Sequence, residues 1–226
     1  MRTLLCTLLA IIGALGCARI YRPVTLATPP ASVRGEGLAG HLAPQPWGDN
    51  SRYERKALEA NLCVLALTLE NTSSADLEIL RLDLPAGATA LPPEAATSLV
   101  KQQSLAYLLY PLLPGLAGLG AAGKSSSGPV VISDQAVFQG LTIAGACIGV
   151  PNAIVAARSN RRLEAFFREQ AWAPGRLAAG ETRRGLIFLR APDSRTPLAV
   201  QVIFRGSMGE RNLTLTVQSA RSSQGP

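Results

Sequence analysis

The sequence predicts an α+β chain, an antiparallel β-sandwich interrupted by an apolar, glycine-rich helical hairpin. Three observations predict it. Strand-length apolar or alternating runs bounded by turn residues lie in two groups, at 62–84 and at 185–217. Between them, Gln102–Gly123 and Gln135–Ala157 carry no charge and are each about as long as the ~20 residues of a membrane span. Ahead of both groups, residues 18–50 are punctuated by Pro and Gly.

Residues 1–16 read as a signal peptide. Arg2 supplies a positive start, and Leu4–Leu15 form an apolar segment of about a dozen residues, too short to span a bilayer. The segment ends Ala14-Leu15-Gly16-Cys17. This end resembles the lipobox of bacterial lipoproteins, with Ala14 standing where Leu is commonest. The resemblance implies that the chain is cut before Cys17 and that Cys17 is acylated, on sulfur and then on its new amino group. Two or three acyl chains hold a protein to a membrane essentially permanently. Ala18, where Asp would imply retention at the inner membrane, implies the outer membrane of a two-membrane bacterium.

Residues 17–50 read as a tether. Pro23, Pro29, Pro30, Pro44 and Pro46 fix φ and remove donors, and Gly35, Gly37 and Gly40 lie between them. Trp47 is placed to pin the tether's end to the domain.

Residues 51–97 read as the first half of the sandwich. Leu62–Leu69 is an apolar strand, Glu70–Ala75 a turn, and Asp76–Leu84 an alternating strand. Together they read as a β-hairpin. The alternation slips at Leu80-Arg81, which predicts a bulge. Residues 173–220 read as the second half. Ala178–Thr182 is a turn; Gly185–Arg190, Leu198–Phe204 and Arg211–Val217 are strands, the last with Leu213, Leu215 and Val217 on one face. Ala191-Pro192-Asp193 and Gly206–Gly209 separate them. Asn71-Thr72 after an early strand, and Gly180-Glu181-Thr182 ahead of Gly185-Leu186-Ile187-Phe188, resemble the exported immunoglobulin-like sandwiches of bacterial lipoproteins. That resemblance implies a fold and no catalysis. Residues 221–226 read as a disordered tail.

Residues 98–172 read as the inserted hairpin. Gly115, Gly118, Gly120 and Gly123 mark one arm and Gly140, Gly145 and Gly149 the other, letting helices approach closely. Pro111, Pro114 and Pro151 are expected to kink or break the arms. The second arm continues as a polar amphipathic helix, Ser159–Gln170, with Glu164 and Arg168 paired at i,i+4. Positive flanks at Lys101, Arg158, Arg161 and Arg162 oppose the orientation a spanning hairpin prefers, so packing against protein or a surface is favoured over insertion.

Gly118–Ser125 reads GLGAAGKS and fits the phosphate-binding P-loop pattern letter for letter. The context does not fit. Pro111 and Pro114 are hostile to the strand that should precede it, and Gly128-Pro129 stops the helix that should follow. Lys124 is read as the end of a hairpin arm, with no nucleotide bound. Net charge is +7, one unit of which leaves with Arg2, and the basic residues do not alternate with aromatics. No nucleic-acid partner is expected.

No cofactor or metal is expected. His41 is the only histidine, and no cysteine pair has ligand spacing. His41 falls in the tether and reads as an exposed linker residue. The fifteen acids are dispersed, mostly beside Arg or Lys. With Cys6 removed and Cys17 acylated, Cys63 and Cys147 remain. An exported compartment permits a disulfide between them, and each also sits in an apolar run where a thiol packs as a small hydrophobe. Asn71-Thr72-Ser73 and Asn212-Leu213-Thr214 fit the glycosylation sequon and are read as chance.

Function is expected to be non-enzymatic: a lipid-anchored envelope protein whose residues 98–172 contact a partner or membrane. A small-molecule or lipid binder with a cavity under the hairpin is the alternative. A hydrolase is least favoured.

Overall fold

A computed structural model describes residues 18–26, 33–108, 134–190 and 198–217, with side chains of the longest helix described from Gly149 onward. The chain divides into two compact units, Met1–Tyr21 with Gln102–Arg161, and Arg22–Lys101 with Arg162–Pro226.

The second unit is two antiparallel sheets with a few helices. One sheet has the order β1 (Val33–Gly35), β2 (Leu38–Pro44), β3 (Leu62–Asn71), β7 (Thr182–Arg190), β5 (Thr89–Ala90). The other has the order β6 (Gly175–Leu177), β4 (Leu77–Asp83), β8 (Leu198–Gly206), β9 (Gly209–Val217). Their inner faces form one apolar core. Leu38, Leu42, Leu65, Leu67 and Leu69 meet Ile79, Val202, Phe204, Leu213 and Leu215, all buried. Full burial of each such side chain stabilises by roughly 1.5–3 kcal/mol, which makes this layer the chief source of fold stability.

The first sheet is buried on its other face as well. In register, Val64 lies opposite Phe188 and Ala66 opposite Leu186, and all four are buried. Helix α1 (Ser51–Glu59) buries Tyr53 and Ala57, and α2 (Pro93–Val100) buries Ala96, Thr97 and Val100. Pro93 opens α2 because the first helical N–H needs no partner there. The final turns of the longest helix contribute Leu163 and Phe167, and the Phe167 and Phe188 rings lie 4.7 Å apart.

Several expectations change. Residues 33–44, assigned to the tether, form β1 and β2. Glu36 (φ 46°) and Gly37 (φ 90°) make the two-residue turn that joins them, a geometry matched to strand twist. β2 then pairs along its whole length with β3. His41 is accordingly half-buried opposite Thr68, not exposed in a linker.

β3 and β4 are not a hairpin. β3 pairs with β2 and β7, while β4 pairs with β6 and β8, so the turn at 71–76 crosses from one sheet to the other. Both strands carry apolar residues suited to the same core, and facing each other across it buries more than lying side by side. The register shift between Ile79 and Arg81 lies where the alternation slips. The three C-terminal strands form as expected, with Leu213, Leu215 and Val217 buried on one face. Trp47 lies 6.2 Å from the Phe167 ring, so it does pin the segment before α1.

In the first unit, α3 (Ser104–Leu108) begins the first expected arm. The second arm lies in α4 (Asp134–Gln170), whose last turns belong to the second unit. Pro151 does not break α4; the helix runs on through it, with the one backbone donor that proline lacks absent from the ladder. Among the described residues no helix is long and apolar enough to cross a membrane.

Candidate functional site

The backbone just after Cys17 is gripped by neutral amide side chains. In the first unit, the Ala18 N–H donates to Asn152 Oδ1 at 3.1 Å. Gln102 binds Arg19 on both sides, accepting from its N–H at 3.3 Å and donating to its carbonyl at 2.7 Å. Gln102 is itself buried and held in place. Its N–H donates to Asn160 Oδ1 and its carbonyl accepts from Asn160 Nδ2, both at 2.8 Å. In the second unit, Asn50 repeats the device on Arg22, accepting from its N–H at 3.0 Å and donating to its carbonyl at 2.7 Å. Side-chain amides can serve an extended backbone this way because each carries both a donor and an acceptor. The segment from Ala18 to Arg22 is therefore docked, where a free tether was expected.

The second unit also holds a cleft of 370 Å³. Leu82, Leu84, Leu91, Trp172, Ile187 and Leu189 are among its lining residues, and Arg81 is the sole ionisable one. Trp172 Nε1 is buried with no hydrogen-bond partner. The cleft could take an apolar molecule; it assembles no acid, base and nucleophile.

Charged groups elsewhere serve the scaffold. The expected Glu164–Arg168 pair forms at 3.1 Å, and it belongs to a larger set. Lys101 reaches Glu164 at 2.9 Å and Arg168 reaches Glu94 at 3.4 Å, tying α2 to the end of α4. The hydrogen bond from Lys101, then its charge, holds the Glu164 carboxyl below its ordinary range. Lys56 donates from Nζ to the Lys101 carbonyl at the C-terminal end of α2, where a cation is favoured. Burial, then the charge of Arg52, lowers its pKa.

Among the described residues no three His, Cys, Asp or Glu side chains stand close enough to hold a metal ion. His41 Nδ1 is buried without a hydrogen-bond partner. Cys63 is half-buried in β3 and packs against the sandwich core. The side chain of Cys147 lies outside the described residues, as do Cys17 and the whole of Gly118–Ser125 with Lys124. Asn71 of the first sequon is fully buried, and Asn212 lies within β9. The amide grip was not legible in sequence: Asn50, Gln102 and Asn152 follow no motif, and Asn152 is 134 residues from its partner.

No protein-family model matches the chain, and no curated protein matches it. Among solved structures, the chain is similar to the VesB protease of Vibrio cholerae, with a TM-score of 0.30 and 11% identity. The match covers 80% of this chain and 32% of that one, so the chain spans about a third of that protein's length. At that level the likeness carries no argument about fold or activity.

Proposed function

We propose that the protein is a non-enzymatic, lipid-anchored module of a bacterial envelope, acylated at Cys17 and sorted to the outer membrane. The observation that carries this reading is the Ala14-Leu15-Gly16-Cys17 end of a short apolar segment that begins with Arg2. The docked segment from Ala18 onward fits a chain that is folded up to its anchor. Residues 98–172 are the part assigned to contact a partner or membrane, with no nucleotide or nucleic acid involved. The sandwich is read as immunoglobulin-like. In that fold strands A, B, E and D share one sheet and C, F and G the other. The order β2-β3-β7-β5 against β4-β8-β9 supports this assignment.

The test is metabolic labelling with a fatty-acid probe. The parent chain should be marked and Cys17→Ala should not; equal labelling of both removes the anchor.

The apolar cleft beside Trp172 favours a second reading, a binder of apolar small molecules. It lies among β4, β5 and β7 rather than under the hairpin. Saturable quenching of Trp172 emission by a hydrophobic ligand, lost in Leu82→Arg, would support it.

A further inference from the structure

We infer that the unit carrying the anchor rests on an anionic bilayer surface through one face of α4, a proposal that builds on acylation of Cys17.

Six large apolar side chains are exposed among the described residues, and four of them belong to this one unit: Ile20, Leu105, Val150 and Ile154. Each lies close in sequence to a residue that grips the chain beside the anchor. Ile20 is in the gripped segment itself. Leu105, 76% exposed, follows Gln102 by three residues, and Val150 and Ile154 flank Asn152. Single exposed hydrophobes are ordinary on a protein surface; four of six falling in the smaller of two units is not.

The helix also carries charge of the right sign. At 3.6 residues per turn, Val150, Ile154, Arg158 and Arg161 fall within about a quarter of the helix circumference. All four are exposed. Between Gln102 and Arg161 the only other charged residues are Lys124 and Asp134. An apolar stripe running into arginines is the pattern of a helix lying in a bilayer interface, its hydrophobes at the acyl boundary and its cations on anionic headgroups.

The anchor selects this occupant. Cys17 is one residue from Ala18, so their Cα atoms are about 3.8 Å apart. The Ala18 N–H is bonded to Asn152, on the same helical turn as Val150 and Ile154. Asn152 lies on the opposite flank of that turn, and a helix is about 10 Å across. An acylated Cys17 therefore keeps this helical turn beside the bilayer, where acyl chains and anionic headgroups match the apolar stripe and its arginines.

The full lipidated chain in phosphatidylethanolamine vesicles containing phosphatidylglycerol provides the test, with Ile154→Trp read against the parent chain. The seating predicts that lipids brominated on their acyl chains quench the added emission at 154 at least about twofold. Arg158→Glu with Arg161→Glu should abolish most of that quenching while the protein still floats with the vesicles. Emission at 154 indifferent to bromolipid in floating protein overturns the seating and leaves the anchor intact. Protein that fails to float removes the anchor and the seating together. Shielding of position 154 in cell envelopes but not in vesicles would assign the face to a protein partner and overturn the lipid assignment.

Discussion

Asn71 donates its side-chain amide to the Leu177 carbonyl at 3.0 Å, joining residues 106 apart in the chain. Asn71 ends β3 in one sheet and Leu177 ends β6 in the other, so the bond crosses the open end of the sandwich. The same amide reaches the Ala75 carbonyl at 2.8 Å, and Asn71 Oδ1 accepts from the Ser73 N–H at 2.9 Å and Ser73 Oγ at 2.7 Å. The backbone of Asn71 exchanges two further bonds with Gly180 and Glu181. A side chain with no solvent exposure thus fixes both the crossing turn and the Ala178–Glu181 turn that leads into β7.

Asn71→Ala is expected to lower unfolding free energy by roughly 2–4 kcal/mol, because the buried Leu177 carbonyl and its neighbours lose their donor. Asn71→Asp keeps the shape but turns an acceptor toward those carbonyls. Its cost in urea denaturation should shrink as pH falls and the carboxyl gains a proton to donate. A cost independent of pH would show that the amide's donations do not matter.

Gly185 answers to a different constraint. A Cβ built there would lie 2.7 Å from the Trp172 Cα, a backbone atom that cannot swing aside. The glycine lets the chain from α4 run against β7, where the Trp172 N–H donates to the Leu186 carbonyl at 2.8 Å. Gly185→Ala should cost about 1–3 kcal/mol. Gly180 has φ +74° and open space, so the need there is conformational. Asn, which tolerates φ > 0, should restore most of the stability lost in Gly180→Ala. The matching Gly185→Asn change should be worse than Gly185→Ala. Rescue by Asn at 185 would contradict the steric account.

The strands were legible where one face is buried and the other wet. Arg211–Val217 alternates cleanly and was found on that basis. β2 was not, because Leu38, Ala39 and Gly40 are all buried and no period of two survives. Its flanking glycines and prolines then read as a tether. Helix α1 was hidden because only Tyr53 and Ala57 of its nine residues are buried, too few to set a helical period. The crossing between β3 and β4 could not be read locally. Both strands present apolar residues, and whether they pair side by side or face to face depends on β7 and β8, more than a hundred residues later. The docked segment after Cys17 depends on three uncharged amides, which leave no trace in composition or spacing.

Acid should loosen the turn beside Asn71. The Asp76 carboxyl accepts from Arg176 and from the Ala179 N–H at 3.2 Å. The Arg176 hydrogen bond, then that of Ala179, holds its pKa below the ordinary value. A carboxyl whose pKa is depressed on folding adds stability above its unfolded pKa, about 3.9, and loses it as pH falls through the folded value. Glu181 behaves alike, held down by the Ala178 N–H and then by Arg183. Both groups are solvent-accessible, so the effect is small and screened by salt. Stability measured from pH 5 downward should fall, and Asp76→Asn should flatten part of that slope. An unchanged slope in Asp76→Asn would place the acid sensitivity elsewhere.

Cys63 faces the sandwich core from β3, opposite Leu189 in the register and packed against the buried cluster. A thiol there behaves as a small hydrophobe, so Cys63→Val should shift stability by less than about 1.5 kcal/mol. A disulfide to Cys147 would give a different pattern. Removing either cysteine would then cost about 2–5 kcal/mol, and reduction of the parent protein would cost the same. Denaturation of the parent, Cys63→Val and Cys147→Val with and without reductant separates the two. The packed-thiol reading expects three curves that ignore the reductant. A parent protein that weakens on reduction to the level of both variants would establish the bridge and overturn it.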